Sequence, residues 1–315
     1  MNGLGRVGLL AAMAAMQGCA ALGGVESCAL PEAAQTAAAG RSGELRVMSW
    51  NVHGMPFDSS VGRRTSNIAR EIRAVRPDVV LLEEVWLDAH AERFVCEMRD
   101  SYAVVADTPA VRGGPFALFG HRRGGLLALV RRTGAWRLDE SVAPDFVAYS
   151  SSSPWYYLDQ LDGIAGKGIQ SFALTDGARR VVLLHTHLQT PYPARGEPHE
   201  AIRRAQLAEL LALARRSTGD AVLVAGDLNV REEEAALYGM LTAELADLTA
   251  GYRAACAACG TFITREGTDD WWIDHLFARK GHALAPGARV ERIRNSARDE
   301  PYSDHHGLWA ELRVH

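Results

Sequence analysis

Lysine is almost missing from this chain: of 34 basic residues, only Lys167 and Lys280 are lysines and the rest are arginines. Such a bias follows either from phosphate-binding chemistry, which suits guanidinium, or, more simply, from the base composition of an Ala- and Arg-rich coding sequence. A basic excess is also absent, since 38 acidic residues give a formal net charge of −4. A protein that coats nucleic acid carries such an excess, so no stable nucleic-acid partner is expected. No apolar run reaches the roughly 20 residues needed to cross a bilayer. From Glu44 onward there is neither an internal repeat nor a low-complexity linker. What is present is 48% hydrophobic and 23% charged over 315 residues. That composition excludes disorder for most of the chain and supplies apolar mass for a sizeable core.

The first segment reads as a targeting signal. Arg6 precedes a short apolar run from Val7 to Met16, followed by Gln17-Gly18-Cys19. A charged start, a short apolar stretch and small residues are the layout of a secretory signal. The end resembles a bacterial lipoprotein signal, with Cys19 as the lipidated first residue, although Met16 stands where leucine is preferred. Ordinary signal cleavage near Gly18-Cys19-Ala20 is the other reading. The expected organisation is a signal peptide over 1–18, a flexible Ala-, Gly- and Ser-rich tether over 19–43, and one catalytic domain over 44–315. Export is expected, to a membrane-anchored, periplasmic or secreted location.

Cysteine is scarce, with five in the chain. If Cys19 is lipidated, Cys28, Cys96, Cys256 and Cys259 remain, an even set suited to an oxidising compartment. Cys256-Ala-Ala-Cys259 has the spacing of half a zinc ribbon, but no second such pair exists, which favours a disulfide or free thiols over zinc.

Within the body, Leu45–Val52 and Val79–Leu82 read as strands, as do Leu126–Val130, Ile169–Leu174, Val181–Leu184, Ala221–Ala225, Ile273–Ala278 and Gly307–Leu312. Ile68, Ile72 and Val75 recur at helical spacing in Arg63–Val75, which Pro77 is expected to end. Leu207, Leu210, Leu211 and Ala214 mark a second amphipathic helix. Strands outnumber helices and several follow one another directly, which favours a sheet sandwich flanked by helices over a strictly alternating fold.

The strands run into polar side chains. The first reaches Asn51, the second Glu83 and Glu84; others lead into His185-Thr186-His187-Leu188-Gln189, Gly226-Asp227-Leu228-Asn229, Asp274-His275 and Ser303-Asp304-His305-His306. One such end is an ordinary turn, but a set of them gathered on one edge would be costly to desolvate without partners or a metal. Carboxylate and amide oxygens suit Mg2+, Mn2+ or Ca2+. The His185-x-His187 pair also admits zinc, which the surrounding oxygen donors disfavour.

These motifs, in this order, resemble the endonuclease/exonuclease/phosphatase superfamily over roughly Glu44 to the C-terminus. The resemblance implies a DNase I-like α/β fold, a four-layered α/β sandwich of two mixed β-sheets face to face with helices outside. It also implies metal-dependent phosphoester hydrolysis at one end. Gly166-Lys167-Gly168-Ile169 and His185-Thr186-His187-Leu188-Gln189 are similar to the sphingomyelinase C branch and make Lys167 a candidate substrate-binding residue. Glu83 departs from the family, which commonly has glutamine there. The aromatic hairpin some secreted members insert into membranes is not evident between Asp274 and Asp304. Trp155-Tyr156-Tyr157 or Trp271-Trp272 are candidate replacements, or they pack against the core.

By that resemblance Glu84 holds the divalent metal, Mg2+ first and Mn2+ or Ca2+ as alternatives, with Asn51 in its shell. His305 is the expected general base, its ordinary pKa of about 6.5 lying near the working pH. Asp274 orients it, Asp227 and Asn229 position water or phosphate, and His187 donates to the charge-bearing oxygens. Asp304 is placed in the outer shell. His53 is left open between site and solvent, and His185 and His306 read as supporting residues. His90, His121, His199 and His282 read as solvated, as do Arg112, Arg122, Arg123, Arg131 and Arg132, the last group being an alternative anionic-substrate face. The leading expectation is an exported, monomeric, metal-dependent phosphodiesterase acting on a phospholipid headgroup. An exported nuclease of the same mechanism is the alternative, and a catalytically inactive surface-binding protein a third. The segments Asp107–Asp162 and Pro191–His199 are expected to set substrate choice.

Overall fold

The computed structural model describes residues 43–55, 58–107, 124–152, 162, 165–191, 199–256, 259–263, 271–282, 284, 288–293 and 302–315. The signal, the tether up to position 42, Cys19, Cys28, Trp155-Tyr156-Tyr157, His121, Arg112, Arg122 and Arg123 lie outside them.

In chain order the elements are β1 (Glu44–Asn51), α1 (Val61–Val75), β2 (Val79–Glu83), α2 (Asp88–Met98), β3 (Tyr102–Asp107), β4 (Leu127–Arg131), β5 (Arg137–Leu138) and β6 (Asp145–Ala148). They continue with β7 (Gly168–Thr175), β8 (Arg180–Thr186), α3 (Glu200–Arg216), β9 (Ala221–Asp227), α4 (Ala235–Glu244) and β10 (Leu245–Asp247). The last are α5 (Ala250–Ala255), β11 (Asp274–Arg279), β12 (Arg289–Ile293) and β13 (Gly307–Arg313). One sheet runs β12-β13-β1-β2-β4-β3 and the other β10-β11-β9-β8-β7-β5, with β6 also on β7. Both are mixed, because β1 pairs in parallel with β2 and β8 with β9, each across a helix, while the other pairs are antiparallel.

Period-2 alternation assigns the layers. Leu45, Val47, Val79 and Leu81 of the first sheet meet Phe172, Leu174, Val181, Leu183 and Leu223 of the second in one buried cluster. Met48, Trp50, Val80 and Leu82 face the other way, against Ile68 and Ile72 of α1 and Phe94 and Met98 of α2. Val182, Leu184, Val222 and Val224 likewise meet Leu207, Leu210, Leu211 and Ala214 of α3 and Leu237 and Leu241 of α4. The result is the expected four-layered sandwich, helices outside two facing sheets.

Differences from the sequence reading are local. Helix α1 closes at Arg76, in the left-handed conformation at φ 55° with its N–H donated to the Ile72 carbonyl, one residue before Pro77. Cys256 and Cys259 form a disulfide, which removes the zinc reading; Cys96 is also disulfide-bonded. Trp272 is buried in the cluster between the sheets and so does not serve as a membrane anchor. Arg131 pairs with Asp78, and Arg132 donates to the carbonyls of Arg99 and Tyr102. Both are tied into the fold. His282 contacts the Asp220 carbonyl through Nδ1, and His90 is half-buried, so neither is simply solvated. Among the described residues, no helix is long and apolar enough to cross a membrane.

Candidate active site

The stripe of residues facing between the sheets changes character toward one end. The phase that turns Leu45 and Val47 inward also turns Ser49 and Asn51 inward; after Val79 and Leu81 comes Glu83. Val181 and Leu183 lead to His185 and His187, and Leu223 and Ala225 to Asp227. On β11, Asp274 pairs directly with Asp227 across the antiparallel ladder. Five strands thus deliver polar side chains to one end of the interlayer, all almost fully buried.

Two tight local conformations shape this end. Glu84 follows β2 at φ 61°, a left-handed position that turns the chain out of the strand. Gly226 sits at φ 139°, and a Cβ there would lie 1.8 Å from the Thr186 carbonyl oxygen, so β8 and β9 come together only with glycine at this point.

Asn51 joins the halves: its Nδ2 donates to Glu84 Oε1 and to Asp227 Oδ2, both at 3.1 Å. His305 Nδ1 is 2.8 Å from Asp274 Oδ2, leaving Nε2 pointed toward Asp227 Oδ2 at 3.8 Å. His187 Nε2 lies 3.3 Å from the same Asp227 oxygen. The backbone N–H of Asn229 donates to Asp227 Oδ1 at 3.0 Å, and its side-chain amide donates to the Leu188 carbonyl at 3.1 Å. Asn229 therefore fixes Asp227 from behind. Ser303 Oγ donates to the Asn51 carbonyl at 2.6 Å and accepts the His305 N–H at 3.1 Å, holding the last motif against the first. Asp304 is half-buried at the rim, 2.8 Å from His53 Nδ1.

Burial pushes Asp227 up to about 7, with the neighbouring Asp274 charge adding to the effect. Burial and then the Asp304 charge raise Glu84. For His305, burial opposes the imidazolium, but the charge and hydrogen bond of Asp274, with Asp227 and Asp304, outweigh it and raise the ring well above its ordinary value. His187 moves the other way, well down, because of burial and the positive charges of Lys167 and His305. Burial and the neighbouring positive charges thus favour the neutral form of the His187 ring.

Below this end lies a second polar chain. Ser49 Oγ donates to Glu83 Oε1 at 2.8 Å, and His185 Nε2 is 2.8 Å from the same oxygen. His185 Nδ1 is 3.1 Å from Gln170 Oε1. Burial drives His185 down to about 3 and, with the Asp274 charge, raises Glu83 well above the carboxylate range. Burial thus disfavours charge on both partners of this contact.

The donor set fits a divalent cation. Among the described residues, Glu84 Oε2 and Asp274 Oδ1 are buried with no hydrogen-bond partner, an arrangement that is costly unless positive charge meets it. Asp227, Asp274 and His305 each bring a ligand atom within 4.8 Å of the others. Oxygen donors of this kind hold hard cations.

The structure brings together Asn51, Glu84, His187, Asp227, Asn229, Asp274 and His305, with Asp304 at the rim. Lys167 is placed differently. Its Nζ donates to the Leu188 carbonyl at 2.6 Å and pairs with Asp162 at 2.9 Å, and the residue is only 4% exposed. Gln189 and the Thr190 N–H complete that knot on Asp162. The Gly-Lys-Gly pattern thus marks a strut beneath the His187–Gln189 segment, with its ammonium turned away from solvent. Sequence reasoning singled out Trp271 but missed Phe262, which stacks on it with centroids 5.7 Å apart and meets the His305 ring edge-on at 5.2 Å, forming an aromatic wall. Arg231 lies over Trp271 at 5.3 Å. Only pairing of Phe262 with both Trp271 and His305 reveals it.

The Endonuclease/Exonuclease/phosphatase family model matches residues 48–305. No curated protein sequence matches the chain. Among solved structures, sphingomyelinase C from Streptomyces griseocarneus is similar at TM-score 0.60 and 23% identity, covering 85% of this chain and 99% of that one. D. rerio TDP2 complexed with a single-strand DNA product is similar at TM-score 0.64 and 18% identity, covering 86% and 99%. An endonuclease/exonuclease/phosphatase from Bacteroides vulgatus is similar at TM-score 0.61 and 16% identity, covering 86% and 99%. At these identities the likeness is one of fold. With the family model spanning most of the chain, the protein belongs to the endonuclease/exonuclease/phosphatase family of metal-dependent phosphoesterases.

Proposed function

We propose that this phosphoesterase is an exported phosphodiesterase that uses Mg2+, or Mn2+ or Ca2+, to cleave a phospholipid headgroup in the manner of a sphingomyelinase. The observation that carries the hydrolytic reading is the convergence of Asp227 Oδ2 on Asn51, His187 and His305, with Asp274 behind His305. Glu84 would hold the cation, with Asn51 in its shell. When bound, it supplies Lewis-acid polarisation of a phosphoryl oxygen and offsets the clustered carboxylates.

The chain's own residues do the rest. Asp274 fixes the His305 tautomer so that Nε2 faces the reaction space and takes a proton from the attacking water. Asp227 shares that water's position, because its Oδ2 and His305 Nε2 face each other at 3.8 Å, a gap that suits a bridging molecule. His187, whose Nε2 lies 3.3 Å from Asp227 Oδ2, donates through that nitrogen to phosphoryl oxygens as charge builds. Asn229 and Ser303 hold these groups in place.

The lipid reading is supported by the signal-like 1–18 segment, the potential anchor at Cys19, and the wall of Phe262 and Trp271, whose ring faces suit a quaternary ammonium. The same wall favours a second reading, a nuclease, since aromatic faces stack nucleobases. Purified protein with Mg2+ should release phosphocholine from sphingomyelin or lysophospholipid vesicles, and EDTA should abolish release. Plasmid nicking without phosphocholine release would select the nuclease. Mass spectrometry of the membrane fraction should find a diacylated N-terminal Cys19; an unmodified, cleaved N-terminus in the soluble fraction would remove the anchor.

A further inference from the structure

We infer that Glu83 and His185 clamp the two sheets together beneath the site, so that Glu83 is a positioning residue for the metal-holding groups and not a ligand. The inference rests on the metal-dependent reading above.

The site is divided between the sheets. Asn51 and Glu84 belong to the first sheet, Asp227 and Asp274 to the second, and the Asn51 amide joins Glu84 to Asp227. The interlayer behind it is mostly Leu, Val and Ala. Dispersion and hydrophobic contact hold such layers together but are not directional. Metal binding depends on ligand spacing to within a few tenths of an ångström.

The Ser49–Glu83–His185–Gln170 chain adds a directional contact beneath the Asn51–Asp227 and His305–Asp274 bonds. Ser49 and Glu83 lie on β1 and β2, while His185 and Gln170 lie on β8 and β7, so the 2.8 Å contact between Glu83 Oε1 and His185 Nε2 crosses from sheet to sheet. All four residues are essentially fully buried, so water does not compete for the contact. Their placement along the strands is equally specific. Ser49 stands two residues before Asn51, Glu83 immediately before Glu84, and His185 two before His187. His185 is also paired with Ala225, two residues before Asp227. A shift at this contact therefore reaches both halves of the site over one or two residues of strand.

A ligand role is disfavoured by the same geometry. Glu83 Oε1 is occupied by Ser49 and His185, leaving only its buried Oε2 without a hydrogen-bond partner, whereas Asn51 holds Glu84 Oε1. An amide at position 83 would preserve the clamp: one N–H reaches His185 Nε2, and the other reaches Ser49 Oγ.

The test is Mn2+ binding to the metal-free full chain by calorimetry, with the melting temperature measured alongside. Glu83→Leu and His185→Phe should each raise the Kd by about 10-fold or more, the scale of second-shell losses. Glu83→Gln should stay within about twofold. The double variant should bind no more weakly than either single one, because one contact is lost in each. A purely structural role would lower the melting temperature while leaving the Mn2+ affinity of the folded protein unchanged, which overturns the inference. Equal weakening by Glu83→Gln and Glu83→Leu also overturns it, in favour of a ligand or charge role. If Glu83→Leu does not fold, Gln170→Leu removes the outer link alone and should raise the Kd about threefold; an unchanged Kd counts against the clamp. Wild-type protein that binds no divalent ion would remove the metal-dependent reading itself, a distinct result.

Discussion

His305 and Asp274 approach each other from opposite sheets, Nδ1 to Oδ2 at 2.8 Å, both almost fully buried. β13 follows the histidine in one sheet and β11 begins at the aspartate in the other. The pair therefore exists only when the sandwich is closed, and it leaves one ring nitrogen free for chemistry.

Removing that nitrogen should cost about 10²- to 10⁴-fold in turnover, the usual contribution of a positioned base. Phosphodiester hydrolysis by His305→Gln and Asp274→Asn, measured at saturating Mg2+, should fall in kcat with little change in KM. A loss confined to KM would assign both residues to substrate binding.

Lys167 gives a sharper separation of roles. Its ammonium and the Asp162 carboxylate are buried against each other, with side chains 2% and 6% exposed. Removing one partner of a buried pair strands the other and typically costs about 3–5 kcal/mol. Lys167→Met should therefore lower the denaturation midpoint substantially. Unchanged stability with a raised KM would restore the substrate-binding role that the Gly-Lys-Gly pattern suggests.

Gly226→Ala should be among the most damaging small substitutions, since the added carbon meets the Thr186 carbonyl and the φ of 139° is unfavourable for any side chain. Strain of this kind costs about 1–3 kcal/mol before the clash is counted. Urea unfolding is the measurement; a midpoint within error of wild type would show that β8 and β9 can separate at this point.

Acid stability should report on Asp247. Burial opposes its charge, but contacts with His275, Thr249 and Tyr238, and the adjacent Arg253, hold the carboxyl well below its ordinary range. A depressed folded pKa contributes stability above the unfolded value of about 3.9, lost as pH falls toward the folded value. Asp247→Asn should thus be less stable than wild type at pH 7 by about 1–3 kcal/mol. The difference should shrink as pH drops below about 4. A gap independent of pH would mean that packing, not charge, is what the substitution removes.

Strand cores such as Val79–Leu82, Val181–Leu184 and Ala221–Ala225 are legible as sequence because continuous apolar runs bury both faces of a strand. The polar residues that end them are legible too, since Asn51, Glu84, Asp227, Asp274 and His305 stand where an apolar pattern stops. Helix α4 is not legible. Its residues Ala235–Glu244 are largely apolar without a dominant face, and packing on the second sheet selects the helix.

By itself, then, the sequence determined the apolar strand cores, the family pattern and the identity of the reactive groups, because these depend on local periodicity and residue chemistry, but not β3, β5, β6, β10 and β12. Only the tertiary structure decided their partners. Whether Lys167 faces substrate or Asp162, whether Glu83 meets a cation or His185, and whether Phe262 lies beside His305 all depend on contacts between residues far apart in the chain. The inward phase of each strand is written locally, but the facing sheet supplies what that phase meets.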